Sequence, residues 1–228
     1  MKKILILFSF LLFASVVFSQ SSSGKYFVFL NTNPDRPKIS EEEVNIIQAA
    51  HRANMDSLAK AMRLLAAGPF HGGGGIQILV APSLEDAQKL VDSDPAVKAQ
   101  RFKTEIFPLE MGVGGICPVK EPYDMVEYQF IRYVPIAKNI ALETEKKLEK
   151  MIKKHLNYVK ANYIKNGLLA NGDFGPGKGG FVIAFKTDDE EFDTFLKYDP
   201  MVRSELYKVD QMILWIAQGS FCERRKVD

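Results

Sequence analysis

The sequence predicts an α+β fold: two βαββαβ repeats in one chain, packed sheet against sheet as a pseudo-dimer. Three observations predict it. Matching segments recur in the same order: "YFVFL" (Tyr26–Leu30) is answered by "YQFIRY" (Tyr128–Tyr133), and "IQILVAP" (Ile76–Pro82) by "FVIAFKT" (Phe181–Thr187). "DSDPAV" (Asp92–Val97) is likewise answered by "KYDPMV" (Lys197–Val202), and "TEIFPLEM" (Thr104–Met111) by "VDQMILWIA" (Val209–Ala217). Each copy also carries a histidine seventeen residues before a glycine, His51 before Gly68 and His155 before Gly172, with Phe70 and Phe174 following. Finally, a four-stranded sheet with both helices on one face leaves its other face apolar, and a second copy can cover it.

The elements follow in order. "MKKILILFSFLLFASVVFS" has two lysines, an apolar core from Ile4 to Phe18 and small residues at Val17 and Ser19, the pattern of a secretory signal cleaved after Ser19. The competing reading is a membrane anchor, but the apolar run is shorter than the roughly 20 residues a spanning helix needs. Residues 20–24 form a short tail, 25–111 the first repeat, 112–127 a Gly/Pro-rich linker, 128–218 the second repeat and 219–228 a C-terminal tail. The first helix starts at Ser40, with Glu43 completing a capping box. Its apolar stripe runs Val44, Ile47, His51, Met55, Leu58, Met62, Leu65 at steps of three and four. The second copy's stripe is Leu148, Ile152, His155, Val159, Tyr163, with Asn166-Gly167 at the helix end. The later helices start at Ser83 and at Thr187, where Glu190 completes another capping box.

The glycine-rich stretches "HGGGG" (His71–Gly75) and "GPGKG" (Gly175–Gly179) lie between two apolar strands. A phosphate cradle must run into a helix N-terminus, so these are hairpin loops in which glycine supplies positive φ. A lid in which His71 or Lys178 faces a ligand is the alternative to a solvated turn.

Composition excludes some partners. When Lys2 and Lys3 leave with the leader, the 30 basic residues fall to 28, matching the 28 acidic ones. No basic stripe of the kind nucleic acid demands is present, and no other segment is apolar enough to anchor the mature chain in a membrane. Cys117 and Cys222 are the two cysteines; export permits a disulfide between them, and a metal pair is the weaker reading because no CxxC or histidine cluster accompanies them.

In the helical His51 and His155, the "AAGPF" and "ANGDF" turns, the Asp94-Pro95 and Asp199-Pro200 pairs and the closing strand, both copies resemble the YciI-like (YCII-related) family. The resemblance implies ferredoxin-like repeats forming a dimeric α/β barrel, here within one chain, which allows a monomer. It also implies a His–Asp pair as chemical centre, carried by His51 with Asp94 and His155 with Asp199, acting on a small cyclic or aromatic substrate, dehydrochlorination included. An aspartate on one ring nitrogen fixes the tautomer and leaves the other for proton transfer. No serine or cysteine nucleophile is marked, so a lyase or hydrolase-like proton shuttle is the leading expectation. The competing one is a non-catalytic small-ligand-binding or envelope interaction module, in which each histidine is a core residue and each Asp-Pro only stops a helix. Asp173 stands where the first copy has Pro69, and the proline-aromatic ending of the family's closing strand is missing.

Other candidates carry less. Glu41, Glu42 and Glu43 sit in a first helical turn, where acid groups suit the dipole. "DDEEFD" (Asp188–Asp193) lacks the ligand pattern of a calcium loop. No metal or cofactor set is marked; haem would need His51 or His155 as axial ligand in a barrel cavity. Trp215 is expected in the core between the sheets.

Overall fold

The computed structural model describes residues 23–163, 167–185 and 189–222. The leader, Asn166 and the Thr187 cap lie outside the described residues. The first half runs β1 (Gly24–Thr32), α1 (Glu41–Lys60), β2 (Leu64–Pro69), β3 (Gly75–Ala81), α2 (Leu84–Asp92), α3 (Pro95–Lys98) and β4 (Phe102–Pro108). β5 (Glu110–Val113) and β6 (Gly115–Ile116) follow. The second half runs β7 (Met125–Pro135), α4 (Ala137–Ile140), α5 (Glu145–Asn162), β8 (Leu168–Asp173), β9 (Gly180–Phe185), α6 (Asp189–Tyr198), α7 (Pro200–Arg203) and β10 (Tyr207–Ala217), ending in β11 (Phe221–Cys222). Apart from the short α3, α4 and α7, both halves have the expected βαββαβ order.

Local chemistry explains the boundaries. Ser40 accepts from the Glu43 N–H while the Glu43 carboxylate accepts from the Ser40 N–H, so the capping box is formed. Ser83 caps α2 through the Asp86 N–H. The helix α1 is shorter than its apolar stripe, however. It ends at Lys60, and Met62 turns the chain with φ 56°. Met62 is therefore exposed and Leu65 belongs to β2. Both glycine stretches are hairpin turns: Gly72, Gly73 and Gly74 between β2 and β3, and Gly175, Gly177 and Gly179 between β8 and β9, all have positive φ.

The strands form sheets of order β2-β3-β1-β4 and β10-β7-β9-β8-β5. Their facing sides share one core: Phe27, Phe29, Phe70, Ile76 and Ile78 meet Phe130, Phe174, Phe181, Ile183 and Leu214. The Phe27 ring lies 4.8 Å from Phe181 and 6.0 Å from Phe130, and Phe70 lies 5.1 Å from Phe130. Each fully buried ring of this kind contributes roughly 1.5–3 kcal/mol. At one end Arg132 crosses from the second sheet to the first, donating to Glu105 at 2.8 Å and lying 3.8 Å over the Phe29 ring.

Both seams between the sheets are closed. β10 runs beside β2, where the His71 N–H donates to the Ile213 carbonyl at 2.9 Å and Phe70 bridges Leu214. A side chain at Gly68 would strike the Trp215 carbonyl there, so the close approach requires glycine. At the other seam the chain passes from β4 straight into β5, which pairs with β8 through Glu110↔Asp173 and Met111↔Gly172. The result is a barrel with the helices outside, the sheet-to-sheet arrangement expected. Two details differ. Residues 112–127, expected as a plain linker, carry the end of β5, β6 and the start of β7. Trp215 is 45 % exposed rather than in the core, because strand alternation turns Leu214 and Ile216 inward and Trp215 out.

Beyond the barrel, β6 pairs with β11, and a disulfide joins Cys117 to Cys222 with Cα atoms 6.0 Å apart. Phe221 beside it is buried in the barrel core. No helix among the described residues is long and apolar enough to cross a membrane.

Candidate active site

Each Asp-Pro pair does two things. Proline at the first helical position stops the preceding helix and starts a short new one, and the aspartate before it caps that new helix. Asp94 accepts from the Ala96 N–H at 2.8 Å and Asp199 from the Met201 N–H at 2.7 Å. The same carboxylates reach the helical histidines. His51 Nδ1 lies 2.7 Å from Asp94 Oδ2 and 2.9 Å from Oδ1, and His155 Nδ1 lies 2.9 Å from Asp199 Oδ1. All four predicted residues thus form two pairs, and all four are buried. Because a carboxylate only accepts, Nδ1 carries the proton in both rings, and in the neutral ring it is Nε2 that presents a lone pair.

The two pairs differ beyond that point. In the second half Asn171 Nδ2 lies 3.3 Å from His155 Nε2 and 3.2 Å from the Phe181 carbonyl, so the amide spends its hydrogens on both. The Tyr133 hydroxyl donates to Asp199 Oδ2 at 2.7 Å, and its ring stands edge-on to His155 at 4.7 Å. Burial, then the charge and hydrogen bond of Asp199, push the Tyr133 phenol well above its ordinary range, which keeps it a donor. Every polar end of this dyad is taken. In the first half Leu30 occupies the register position of Tyr133: Leu30 pairs with Gly75 as Tyr133 pairs with Gly180. Ala67, opposite Gln77, occupies that of Asn171, opposite Val182. His51 Nε2 has no hydrogen-bond partner among the described residues, while the side chain is as buried as that of His155, 7 % against 5 % exposed.

The electrostatics of Asp94 follow from this arrangement. Burial alone would raise its carboxyl, but the hydrogen bond and charge of His51 and the Ala96 and Val97 N–H groups outweigh it and hold the group below its ordinary range. An acid whose folded value is depressed stabilises the fold above its unfolded value, about 4. That contribution is lost as pH falls through the lower folded value. In urea unfolding, the gap in stability between the native protein and Asp94→Asn is therefore expected to be constant near neutrality and to shrink in acid below about pH 4. A gap that widened in acid would contradict the assignment. Asp173 has the opposite sign. Burial raises its carboxyl despite the Gly175 N–H, so it favours the fold when protonated and loses that contribution as pH rises.

Asp173 lines a shallow groove of about 410 Å3 with Lys25, Tyr26, Glu110 and Phe174, along the β4–β5 seam. Lys178 lies in the β8–β9 turn, and the turn residue His71 lies 3.1 Å from Glu127. Among the described residues neither turn residue meets a dyad histidine. Among the described residues no three His, Cys, Asp or Glu side chains gather as a metal site. A flat cofactor such as haem does not fit the barrel interior, which is filled by Phe27, Phe29, Phe130, Phe174 and Phe181, while both histidines pack on the helix side of the sheets.

Residues 25–110 match the family model of the YCII-related domain. The matched segment holds β1 to β4 and the whole His51–Asp94 pair. No curated protein matches the chain. Among solved structures, a mutant chlorite dismutase from Candidatus Nitrospira defluvii aligns over 85 % of this chain and 92 % of its own, with TM-score 0.50 and 13 % identity. A second mutant of that enzyme aligns over 87 % and 92 %, with TM-score 0.49 and 9 % identity. An anthrone oxidase-like protein aligns over 88 % and 95 %, with TM-score 0.49 and 8 % identity. At such identities the likeness concerns the fold alone.

Sequence reasoning missed Tyr133, Asn171 and Gln77. The available signal was the mismatch between halves: Tyr for Leu30, Asn for Ala67 and Gln for Val182 are polar-for-apolar exchanges inside otherwise matching strands.

Proposed function

We propose that this chain is an exported small-molecule enzyme of proton-transfer type, made of two YCII-related copies in tandem, with His51 as the catalytic residue. The observation that carries this reading is the open Nε2 of His51, beside a closed Nε2 on His155. Asp94 is the positioning residue: it holds the ring in the Nδ1–H form and stabilises the imidazolium once Nε2 has taken a proton. In a lyase step the substrate C–H proton goes to Nε2, the C–H electron pair becomes the new double bond, and the leaving group departs with its own pair. On this reading His155 and Asp199, candidates on sequence grounds, serve as a structural copy. The tandem origin is supported by the shared element order and the paired Asp-Pro caps, and export by the Cys117–Cys222 disulfide, which suits an oxidising compartment.

The test is hydrogen–deuterium exchange and elimination on a panel of small cyclic and aromatic carbonyl and halogenated compounds in D2O, followed by proton NMR. His51→Asn is expected to lose at least about 100-fold in rate while folding normally, and His155→Asn to keep its activity in whatever fraction folds. Full activity in His51→Asn would remove that residue from the chemistry. Binding without exchange in the native protein would favour a ligand-binding module.

A further inference from the structure

We propose that the Gln77 carboxamide is the oxygen-binding group of the His51 site. It would hold the carbonyl or carboxylate oxygen of a small ligand beside the carbon whose proton His51 Nε2 takes. This rests on the proton-transfer reading above and names its substrate class.

Three observations carry it. Gln77 lies mid-strand in β3, 2 % exposed, and its Nε2 is buried with no hydrogen-bond partner among the described residues. A buried donor without an acceptor is costly and rare in a native interior. Its strand neighbours Ile76 and Ile78 belong to the barrel core, so alternation sends Gln77 to the helix side, where His51 lies.

The second observation is register. Val28, Gln77 and Ala67 stand side by side across β1, β3 and β2, as Ile131, Val182 and Asn171 do across β7, β9 and β8. His155 touches Asn171 in that row and Tyr133 in the row beyond. The equivalent footprint of His51 falls on the row of Gln77 and Ala67. Third, the amide has changed places. In the second half it stands opposite Val182 and closes His155 Nε2. In the first half that position is alanine, the amide stands one strand inward, and its donor is free along with the ring nitrogen.

A donor and a proton acceptor held side by side suit a C–H next to a carbonyl. As the proton moves to Nε2, the C–H electron pair forms the enolate and negative charge gathers on the oxygen. The Gln77 N–H is placed to bind that charge without reorganising. No oxidant or further reactant is needed.

The experiment follows the Gln77 side-chain NH2 signals and the His51 ring by 15N NMR in the full disulfide-bonded chain, with sodium acetate and acetone as probes. Both sets of signals are expected to shift with either probe. In Gln77→Leu the His51 response is expected to vanish while the melting temperature rises, since the substitution removes an unpartnered polar group from an apolar layer. The idea is overturned if neither probe moves the Gln77 signals. It is equally overturned if Gln77→Leu melts lower and His51 still responds as in the native protein. Probe binding that persists without any C–H exchange in the native protein would sink the proton-transfer reading and leave the oxygen site standing.

Discussion

Asp199→Ala is expected to cost at least about 3 kcal/mol, because each buried donor it leaves unsatisfied costs about 1–3 kcal/mol. The carboxylate is fully buried and accepts from His155 Nδ1, the Tyr133 hydroxyl and the Met201 N–H. Alanine leaves those three donors facing one another with nothing to receive them. Asparagine does not cure this, because half of its amide is itself a donor. Asp94→Ala removes a side-chain partner only from His51 and a cap from α3, so its cost is expected to be smaller. Urea unfolding at neutral pH measures both. Equal or reversed losses would mean that Tyr133 contributes nothing to the second site.

Breaking the disulfide is the other large effect. The cysteines are 105 residues apart, and closing a loop of about 100 residues in the unfolded chain is worth up to about 4.7 kcal/mol in the chain-entropy account. The bridge also fastens the two-stranded β6–β11 pair, which places Phe221 in the barrel core. The double variant Cys117→Ser/Cys222→Ser is expected to lose about 2–5 kcal/mol in urea unfolding, and reduction of the native protein the same amount. Amide exchange should accelerate first around Phe221. A loss under about 1 kcal/mol would mean that the pairing of β6 with β11 closes that loop without the covalent bond.

Much of this architecture was legible because its signals are local. The Ser40–Glu43 box, the Ser83 cap, the positive-φ glycines and the Asp-Pro stops each act within a few residues of themselves. The His–Asp pairs were legible through the resemblance to the YCII-related family, with their recurrence in both halves in support. What was hidden is set by neighbours distant in sequence. Nothing near Met62 announces the end of α1, since a methionine rather than a glycine takes the left-handed turn and the apolar steps continue past it. β5 becomes a strand only because β8 offers it an edge. Trp215 looks like core by composition, and only strand parity turns it outward. The roles of Asn171, Tyr133 and Gln77 depend on which residue stands across the sheet.

Barrels closed by two identical subunits must make every substitution twice, so their two sites change together or not at all. With β5 and β10 closing both seams inside one polypeptide, a substitution here is made once. One histidine site can then be tightened into scaffold while its counterpart keeps an unpartnered ring nitrogen and an uncommitted amide. Closing the barrel within one polypeptide thereby allows a division of labour that a symmetric pair could not encode.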